Sequence, residues 1–241
     1  SEEEVTLAPK NIPVRDRLIF AMDVADHDEA RRLVELLGDS ISFYKLGLEF
    51  FMAGDYFAFI DWLADKGKKV FVDLKFFDVP NTVASAVRAL RGRNAYFATV
   101  HGQDGLLKAA ADEKGEIKIL AVTALTSLDD GDLKSLGFQV DAETLVLSRA
   151  ERALALGCDG VVSSGLEVEP LRAKLGPNFL VVVPGIRPVS NTDDQKRVVD
   201  VEEAFRRGAD YIVVGRPIKS APHPRKAAED MQARIAKVFS K

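Results

Sequence analysis

Eight short apolar runs, rich in β-branched residues, alternate with amphipathic helical patterns along the chain. Buried parallel strands joined by helical crossovers produce this alternation. The runs that we interpret as strands are 18–24, 43–47, 70–74, 96–100, 117–123, 160–163, 179–183 and 211–215. Eight such units in 241 residues predict an α/β fold, a single-domain (β/α)8 TIM barrel, a fold that commonly takes about 250 residues. An open doubly wound sheet is the less favoured alternative.

The helical layer is predicted between these runs, with candidate helices at 28–37, 55–66, 82–90, 142–156 and 201–207. Gly67, Gly157 and Gly208 each follow a helical pattern and precede a strand, where a left-handed helix cap favours glycine. No low-complexity linker or shift in composition marks a second domain. We therefore expect an N-terminal extension at 1–14, poorly ordered, and one catalytic barrel at 15–241.

Composition narrows the classes of partner. The net charge of −4 offers no general attraction to nucleic acid or to an anionic membrane. The single cysteine, Cys158, allows no intrachain disulfide, and no apolar stretch approaches the roughly 18 residues of a membrane span. The acidic opening SEEEV lacks the form of a secretory signal. We expect a cytoplasmic protein with a small-molecule ligand.

Polar residues stand at or just after the ends of nearly all the apolar runs. In a (β/α)8 barrel the active site is built at the carboxyl ends of the strands, so these residues are the first candidates for a site. Any one of them taken alone is more simply a polar group at a solvent edge. They are Asp23, Asp73, Lys75, His101, Thr123, Thr126, Ser127, Ser163, Ser164, Arg187 and Arg216, together with Lys45 inside the second run and Gly215 beside Arg216.

The densest segment is VFVDLKFFDVPNT, which contains Asp73 and Lys75 two positions apart. This spacing puts both side chains on one face of an extended strand. With Lys45, Asp23 and Asp78 they can form a network in which each ammonium lies between carboxylates and stays protonated. Lys75 is then a candidate proton donor. The alternatives are a structural ion pair and a Schiff-base lysine, which would need to be neutral.

A phosphate site is predicted after the seventh and eighth runs, where barrels often bind phosphate. Gly215 allows close backbone approach to an anion, and Arg216 offers a bidentate fork. Arg187 and Gln195 lie in PGIRPVSNTDDQ, a long segment suited to a mobile lid, although an ordinary surface loop has similar composition. Neither a G-x-G-x-x-G nor a P-loop motif occurs, which argues against dinucleotide and P-loop chemistry.

The pattern D-x-K-x-x-D-[IV]-P-x-T resembles that of the orotidine 5′-monophosphate decarboxylases. Further matches extend over nearly the whole chain in the expected order: AMDV, YKLG, LTS, PGIRP and VGRPI. Phe77 stands where many members carry His, and Val79 where Ile is common, but neither change removes a charged group. His101 in TVHG also resembles the family, yet a lone strand-end histidine is more often structural, so it stays outside the predicted set.

The resemblance implies a role for each matching residue. Lys75 would donate the proton, Asp73 would lie beside the scissile group, and Asp78 would complete the catalytic set with Lys45. The remaining substrate contacts would be Asp23, Thr82, Thr126, Ser127, Pro184, Arg187, Gln195, Gly215 and Arg216. It also implies a homodimer in which Asp78 and Thr82 reach the neighbouring subunit's site, a nucleotide substrate, and no cofactor or metal.

Two other functions stay open at this point. One is a Mg²⁺-dependent sugar-phosphate decarboxylase or aldolase on a related barrel, whose Asp-x-Lys-x-x-Asp would help to bind the metal. The other is a noncatalytic nucleotide-binding barrel. The first predicts activity that chelation abolishes, and the second predicts ligand binding without turnover.

Overall fold

Eight parallel strands form a closed barrel in a computed structural model that describes residues 10–123, 128–187 and 200–240. The strands pair in sequence order, and the eighth returns to pair with the first. They are β1 (Leu18–Ala21), β2 (Phe43–Gly47), β3 (Lys69–Phe76), β4 (Phe97–His101), β5 (Lys118–Val122), β6 (Gly160–Val162), β7 (Leu180–Val183) and β8 (Tyr211–Val214). This closure confirms the predicted (β/α)8 fold, and the open sheet is wrong.

Helices follow the strands and pack around the outside of the barrel. They are α1 (His27–Leu37), α2 (Leu48–Phe51), α3 (Tyr56–Asp65), α4 (Pro80–Leu90), α5 (Asp104–Glu113), α6 (Asp130–Ser135), α7 (Ala142–Ala155), α8 (Val168–Leu175), α9 (Val201–Arg207), α10 (Arg216–Lys219) and α11 (Pro224–Phe239). Short 3₁₀ helices lie at Val14–Arg17, Gly38–Ser40 and Gly165–Glu167. In the described part of the chain, no helix has the length and apolar character needed to cross a membrane.

Local chemistry explains where several helices begin and end. The side chains of Asp26, Asp141 and Asp200 accept hydrogen bonds from backbone N–H groups in the first turns of α1, α7 and α9. Gly208 caps α9 at φ 116°, a left-handed conformation that favours glycine. The predicted helix at 201–207 therefore matches α9 at both ends.

Alternation along the strands divides the core into two layers. One residue in two points into the barrel, and a separate cluster fills its interior: Ile19, Ala21, Phe43, Phe71, Phe97, Leu120, Val182, Tyr211 and Val213. The intervening strand residues pack with the helices in the larger outer core. Because the interior is filled with side chains, ligands have access only to the ends of the barrel.

A buried ion pair lies at the amino end of the barrel. Arg172 of α8 donates to Asp210 at 2.8 Å, and both side chains are 1% exposed. Lys10 Nζ lies 2.8 Å from the other Asp210 oxygen, so the chain already contacts the barrel at residue 10. Residues 1–9 lie outside the described residues, and the division into 1–14 and 15–241 stays a prediction.

Candidate active site

Asp73 and two lysines form a charge cluster at the carboxyl ends of β2 and β3. Asp73 is 6% exposed, and its Oδ2 lies 3.0 Å from Lys75 Nζ and 3.4 Å from Lys45 Nζ. Burial alone would raise the pKa of Asp73. The charges of Lys45 and Lys75, with hydrogen bonds from Lys75 and Thr99, outweigh burial and hold this pKa below its ordinary value. The carboxylate is therefore ionised at neutral pH.

Lys75 has an unusual backbone conformation. Its φ is 48°, in the left-handed region that residues with a side chain seldom occupy. The pairing of β3 with β4 shifts here: Val72 pairs with Ala98, but the next pair is Phe76 with Val100. Four steps along β3 thus oppose two along β4. The resulting bulge directs the Lys75 side chain back toward Asp73.

Thr99 of β4 contacts both of these residues and was missed in the sequence. Its Oγ1 accepts from the Lys75 N–H at 3.0 Å and donates to Asp73 Oδ1 at 2.8 Å. The side chain is fully buried. A signal did exist, because Thr99 is a polar residue inside an apolar run and is two positions from Phe97, which faces the barrel interior.

Asp23 lies just after β1, half-buried, and next to Gly215 at the seam between β1 and β8. A Cβ on Gly215 would be 3.9 Å from Asp23 Oδ2, which shows how closely the two segments approach. The backbone carbonyl of Asp23 accepts from Lys219 Nζ at 3.0 Å. Among the described residues the Asp23 carboxylate makes no ion pair, so the predicted alternating network is reduced to Lys45, Asp73 and Lys75.

Asp78 and Thr82 lie away from this cluster. Both are exposed, Asp78 in the turn after β3 and Thr82 in the first turn of α4. The Asp78 carboxylate accepts from the N–H of Val79 at 2.7 Å. Phe77 and Val79 on either side are 65% and 61% exposed. Within one chain, the turn therefore presents its acid and its apolar side chains to the surface.

The predicted phosphate-binding residues lie at the same end of the barrel, after β7 and β8. Pro184 is half-buried and Arg187 is exposed; Gly215 is half-buried and precedes the exposed Arg216, which begins α10. Both guanidinium groups are thus available to an anion. Thr126, Ser127 and Gln195 lie outside the described residues.

His101 ends β4 on the interior face, half-buried. Its ring packs edge-on against Phe77 with centroids 5.5 Å apart. Burial lowers its pKa, and the nearby charges of Arg149 and Lys75 lower it further. The imidazole is therefore neutral at pH 7. No metal-binding group of three or more His, Cys, Asp or Glu side chains is present in the described ranges.

The closed parallel barrel carries a buried carboxylate between two ammonium groups at the carboxyl ends of its strands. This is the end at which (β/α)8-barrel enzymes have their active sites, so the fold and the site together indicate an enzyme of this class. The exposed guanidinium groups of Arg187 and Arg216 at the same end of the barrel are suited to binding an anionic ligand.

Comparison with known proteins narrows this class. The model of the orotidine 5′-phosphate decarboxylase / HUMPS family matches residues 16–231. The chain is 64% identical to orotidine 5′-phosphate decarboxylase of Methylococcus capsulatus, over 97% of this chain and 98% of the relative. It is 49% identical to the enzyme of the same name from Xanthomonas oryzae, over 95% of each chain.

A solved structure with a similar fold has the same name as the sequence relatives. The crystal structure of orotidine 5′-phosphate decarboxylase from Lactobacillus acidophilus superposes with a TM-score of 0.82 at 34% identity, covering 91% of this chain and 99% of that one. The chain belongs to the orotidine 5′-phosphate decarboxylase / HUMPS family.

Proposed function

We propose that this chain decarboxylates orotidine 5′-monophosphate to uridine 5′-monophosphate in de novo pyrimidine synthesis, without a cofactor. The observation that carries the proposal is the Lys45–Asp73–Lys75 cluster at the carboxyl end of a closed barrel. Asp73 and Lys75 lie in the segment whose pattern resembles that of the decarboxylases. The names of the 64% and 49% identical relatives support the same substrate and reaction.

The chemistry needs a fixed positive charge beside C6 of the pyrimidine. When the bond from C6 to the carboxylate breaks, its electron pair stays on C6 in the plane of the ring, where the π system cannot delocalise it. The Lys75 ammonium stabilises this developing carbanion more than the starting carboxylate, and then transfers a proton to C6. CO2 leaves and Lys75 becomes neutral until it regains a proton from solvent. Asp73 can also repel the substrate carboxylate, an effect that we treat as secondary.

The other predicted residues bind the substrate in this proposal. Asp23 and Lys45 would contact the ribose, and Thr126 and Ser127 the pyrimidine. The phosphate would be bound by a set of residues that also closes the lid over it. These residues are Pro184, where the lid segment begins, and Arg187, Gln195, Gly215 and Arg216. Binding energy gained at the phosphate, far from the reacting carbon, can drive closure and exclude water.

A homodimer with shared sites is the second part of the proposal. Asp78 and Thr82 are exposed, and the side chains of Phe77 and Val79 add exposed apolar surface on either side of Asp78. A second copy of the chain would bury that surface and bring Asp78 and Thr82 into its own site. A cytoplasmic location, expected from the sequence, likewise stays a prediction.

The activity is tested by the loss of ultraviolet absorbance of orotidine 5′-monophosphate in excess chelator. We expect rapid turnover by the wild type, and a fall of at least about a thousandfold in Lys75→Ala, because the proton donor and its charge are removed. Lys108→Ala, a change at an exposed ion pair of α5, is the control. Near wild-type turnover by a folded Lys75→Ala dimer would contradict the proton-donor role.

The same assay separates the alternatives. A Mg²⁺-dependent sugar-phosphate enzyme would lose its activity to the chelator. A noncatalytic barrel would bind the nucleotide without turnover, and Lys75→Ala would leave that binding unchanged.

Sharing of sites across the dimer is tested by mixing two inactive variants, Lys75→Ala and Asp78→Ala, unfolded together and refolded. If Asp78 acts on the partner's site, each mixed dimer regains one intact site, and a random mixture recovers about a quarter of wild-type activity. Refolding each variant alone is the control. If Asp78 acts within its own subunit, mixing restores nothing.

A further inference from the structure

We propose that Thr99 is a positioning residue for catalysis: its buried hydroxyl orients the Asp73 carboxylate and holds the backbone of Lys75 in its left-handed conformation. This inference rests on the proposed decarboxylase function and adds a residue to it. Thr99 is fully buried beneath the cluster and acts through its two neighbours.

Thr99 supports the backbone of β3 at Lys75. The shift in pairing between Val72 and Phe76 takes Lys75 out of the regular ladder with β4. An N–H that is shielded from water and has no acceptor destabilises the fold. Thr99 Oγ1 replaces the missing carbonyl, 3.0 Å from the Lys75 nitrogen. The hydroxyl therefore stabilises a bulge that the ladder alone would leave unsatisfied at this residue.

The two hydrogen bonds of Thr99 determine the direction of its hydroxyl proton. A backbone N–H can only donate, so Thr99 Oγ1 must accept from Lys75. The single hydroxyl proton is then free to point at Asp73 Oδ1, 2.8 Å away. Both bonds can be satisfied at once only in this arrangement, with the Asp73 oxygen as acceptor.

The two oxygens of Asp73 have different partners. Oδ1 is held by Thr99, while Oδ2 receives both ammonium groups, at 3.0 Å from Lys75 and 3.4 Å from Lys45. Fixing Oδ1 fixes the rotation of the carboxylate and so the position of Oδ2. Without Thr99 the carboxylate could rotate, and the Lys75 ammonium would lose its defined place beside the reacting carbon.

The test compares Thr99→Val, which keeps the shape and removes the hydroxyl, with Thr99→Ser, which keeps the hydroxyl. The matched control is Val100→Thr, the reverse exchange at the next residue of β4, whose side chain is buried in the outer core away from the cluster. For each variant we would measure kcat and KM for orotidine 5′-monophosphate, the titration of Asp73 by carboxyl ¹³C NMR, and the dimer by sedimentation.

We expect Thr99→Val to lower kcat by about ten- to a hundredfold with KM changed by less than about threefold, because positioning is lost but no substrate contact is removed. The pKa of Asp73 should rise in this variant, since a hydrogen bond to its ionised form is gone. Thr99→Ser should restore both quantities. Val100→Thr should lower the melting temperature without changing either of them.

A kcat of Thr99→Val within about twofold of the wild type, or a Thr99→Ser variant as impaired as Thr99→Val, would overturn the proposal. An equal fall of kcat in Val100→Thr would overturn it too, because the effect would then be general destabilisation. If Thr99→Val does not fold, Thr99→Ala carries the same test, because it also removes the hydroxyl. Absence of turnover in the wild type would contradict the proposed function instead.

Discussion

Asp73 shows at the scale of one residue how a buried acid is kept charged. Burial opposes ionisation, yet two ammonium groups and two hydrogen bonds more than compensate, and the pKa lies below its ordinary value. The same contacts that suit the carboxylate to catalysis therefore also favour the folded state. Activity and stability are linked at this position through one titrating group.

This linkage predicts a pH dependence with a definite sign. Because the folded-state pKa of Asp73 is depressed, its ionised form stabilises the fold above the unfolded-state pKa near 3.8, and this stabilisation is lost as pH falls through the folded-state pKa. Asp73→Asn should lower the free energy of unfolding by about 1–3 kcal/mol at pH 7. The difference from the wild type should shrink below about pH 4.

Urea unfolding between pH 7 and pH 3 would measure this difference. Asp112→Asn, at an exposed pair with Lys108, serves as the control and should leave stability nearly unchanged. A deficit of Asp73→Asn that grows as the pH falls would be inconsistent with a depressed pKa.

At the scale of elements, the contact between β6 and β7 depends on one glycine. Gly160 begins β6 opposite Leu180, and an added Cβ would lie 2.2 Å from the Leu180 carbonyl oxygen and 2.7 Å from the Leu180 Cβ. Two of the three nearest atoms belong to backbone that is fixed in the sheet. The strands can approach this closely only because Gly160 has no side chain.

We therefore expect Gly160→Ala to lower the free energy of unfolding by about 2 kcal/mol or more, since β6 and β7 must separate locally. The matched control is Gly105→Ala in α5, where the added Cβ would meet Pro80 at an ordinary 3.6 Å. That variant should be neutral or slightly stabilising. Equal effects of the two substitutions, measured by urea unfolding, would mean that the close approach is not what requires glycine.

At the scale of the whole molecule, one end of the barrel carries the candidate active site and the other end carries contacts that stabilise the fold. The carboxyl end carries the charge cluster of Asp73, and the amino end carries the ion pair of Arg172 and Asp210. Asp210 also accepts from the N–H of Val181 at 2.9 Å and from Lys10, so it ties α8, β7 and the N-terminal segment to β8. These contacts hold the closed barrel on which the rim is built.

Asp210→Asn should consequently lower the free energy of unfolding by about 3–5 kcal/mol, because Arg172 would be left buried without its counter-charge. The folded fraction should keep the wild-type kcat, since the substitution is at the opposite end of the barrel. Asp230→Asn, at an exposed pair with Lys226, is the control for loss of a surface charge. A stable Asp210→Asn variant, or one that loses kcat while folded, would disprove this separation of tasks.

The sequence predicted the elements most accurately where the determining interactions are local. The predicted strand at 43–47 and helix at 201–207 match β2 and α9, because alternation and helix capping act over a few residues. The strand predicted at 70–74 extends in fact from Lys69 to Phe76, and that predicted at 18–24 ends at Ala21. In these two segments the apolar residues indicate which positions are buried, but they do not indicate how far the strand pairs with its neighbours.

For the candidate site, the sequence alone determined the barrel class, the strand ends that meet at one rim, and the motif that carries Asp73 and Lys75. Only the tertiary structure decided that Lys45 joins them while Asp23 makes no ion pair among the described residues, that Lys75 is left-handed, and that Thr99 holds both partners. The physical reason is distance along the chain: Thr99 lies 24 and 26 residues from Lys75 and Asp73. Whether they meet depends on a register shift between two strands, which no local pattern in the sequence encodes.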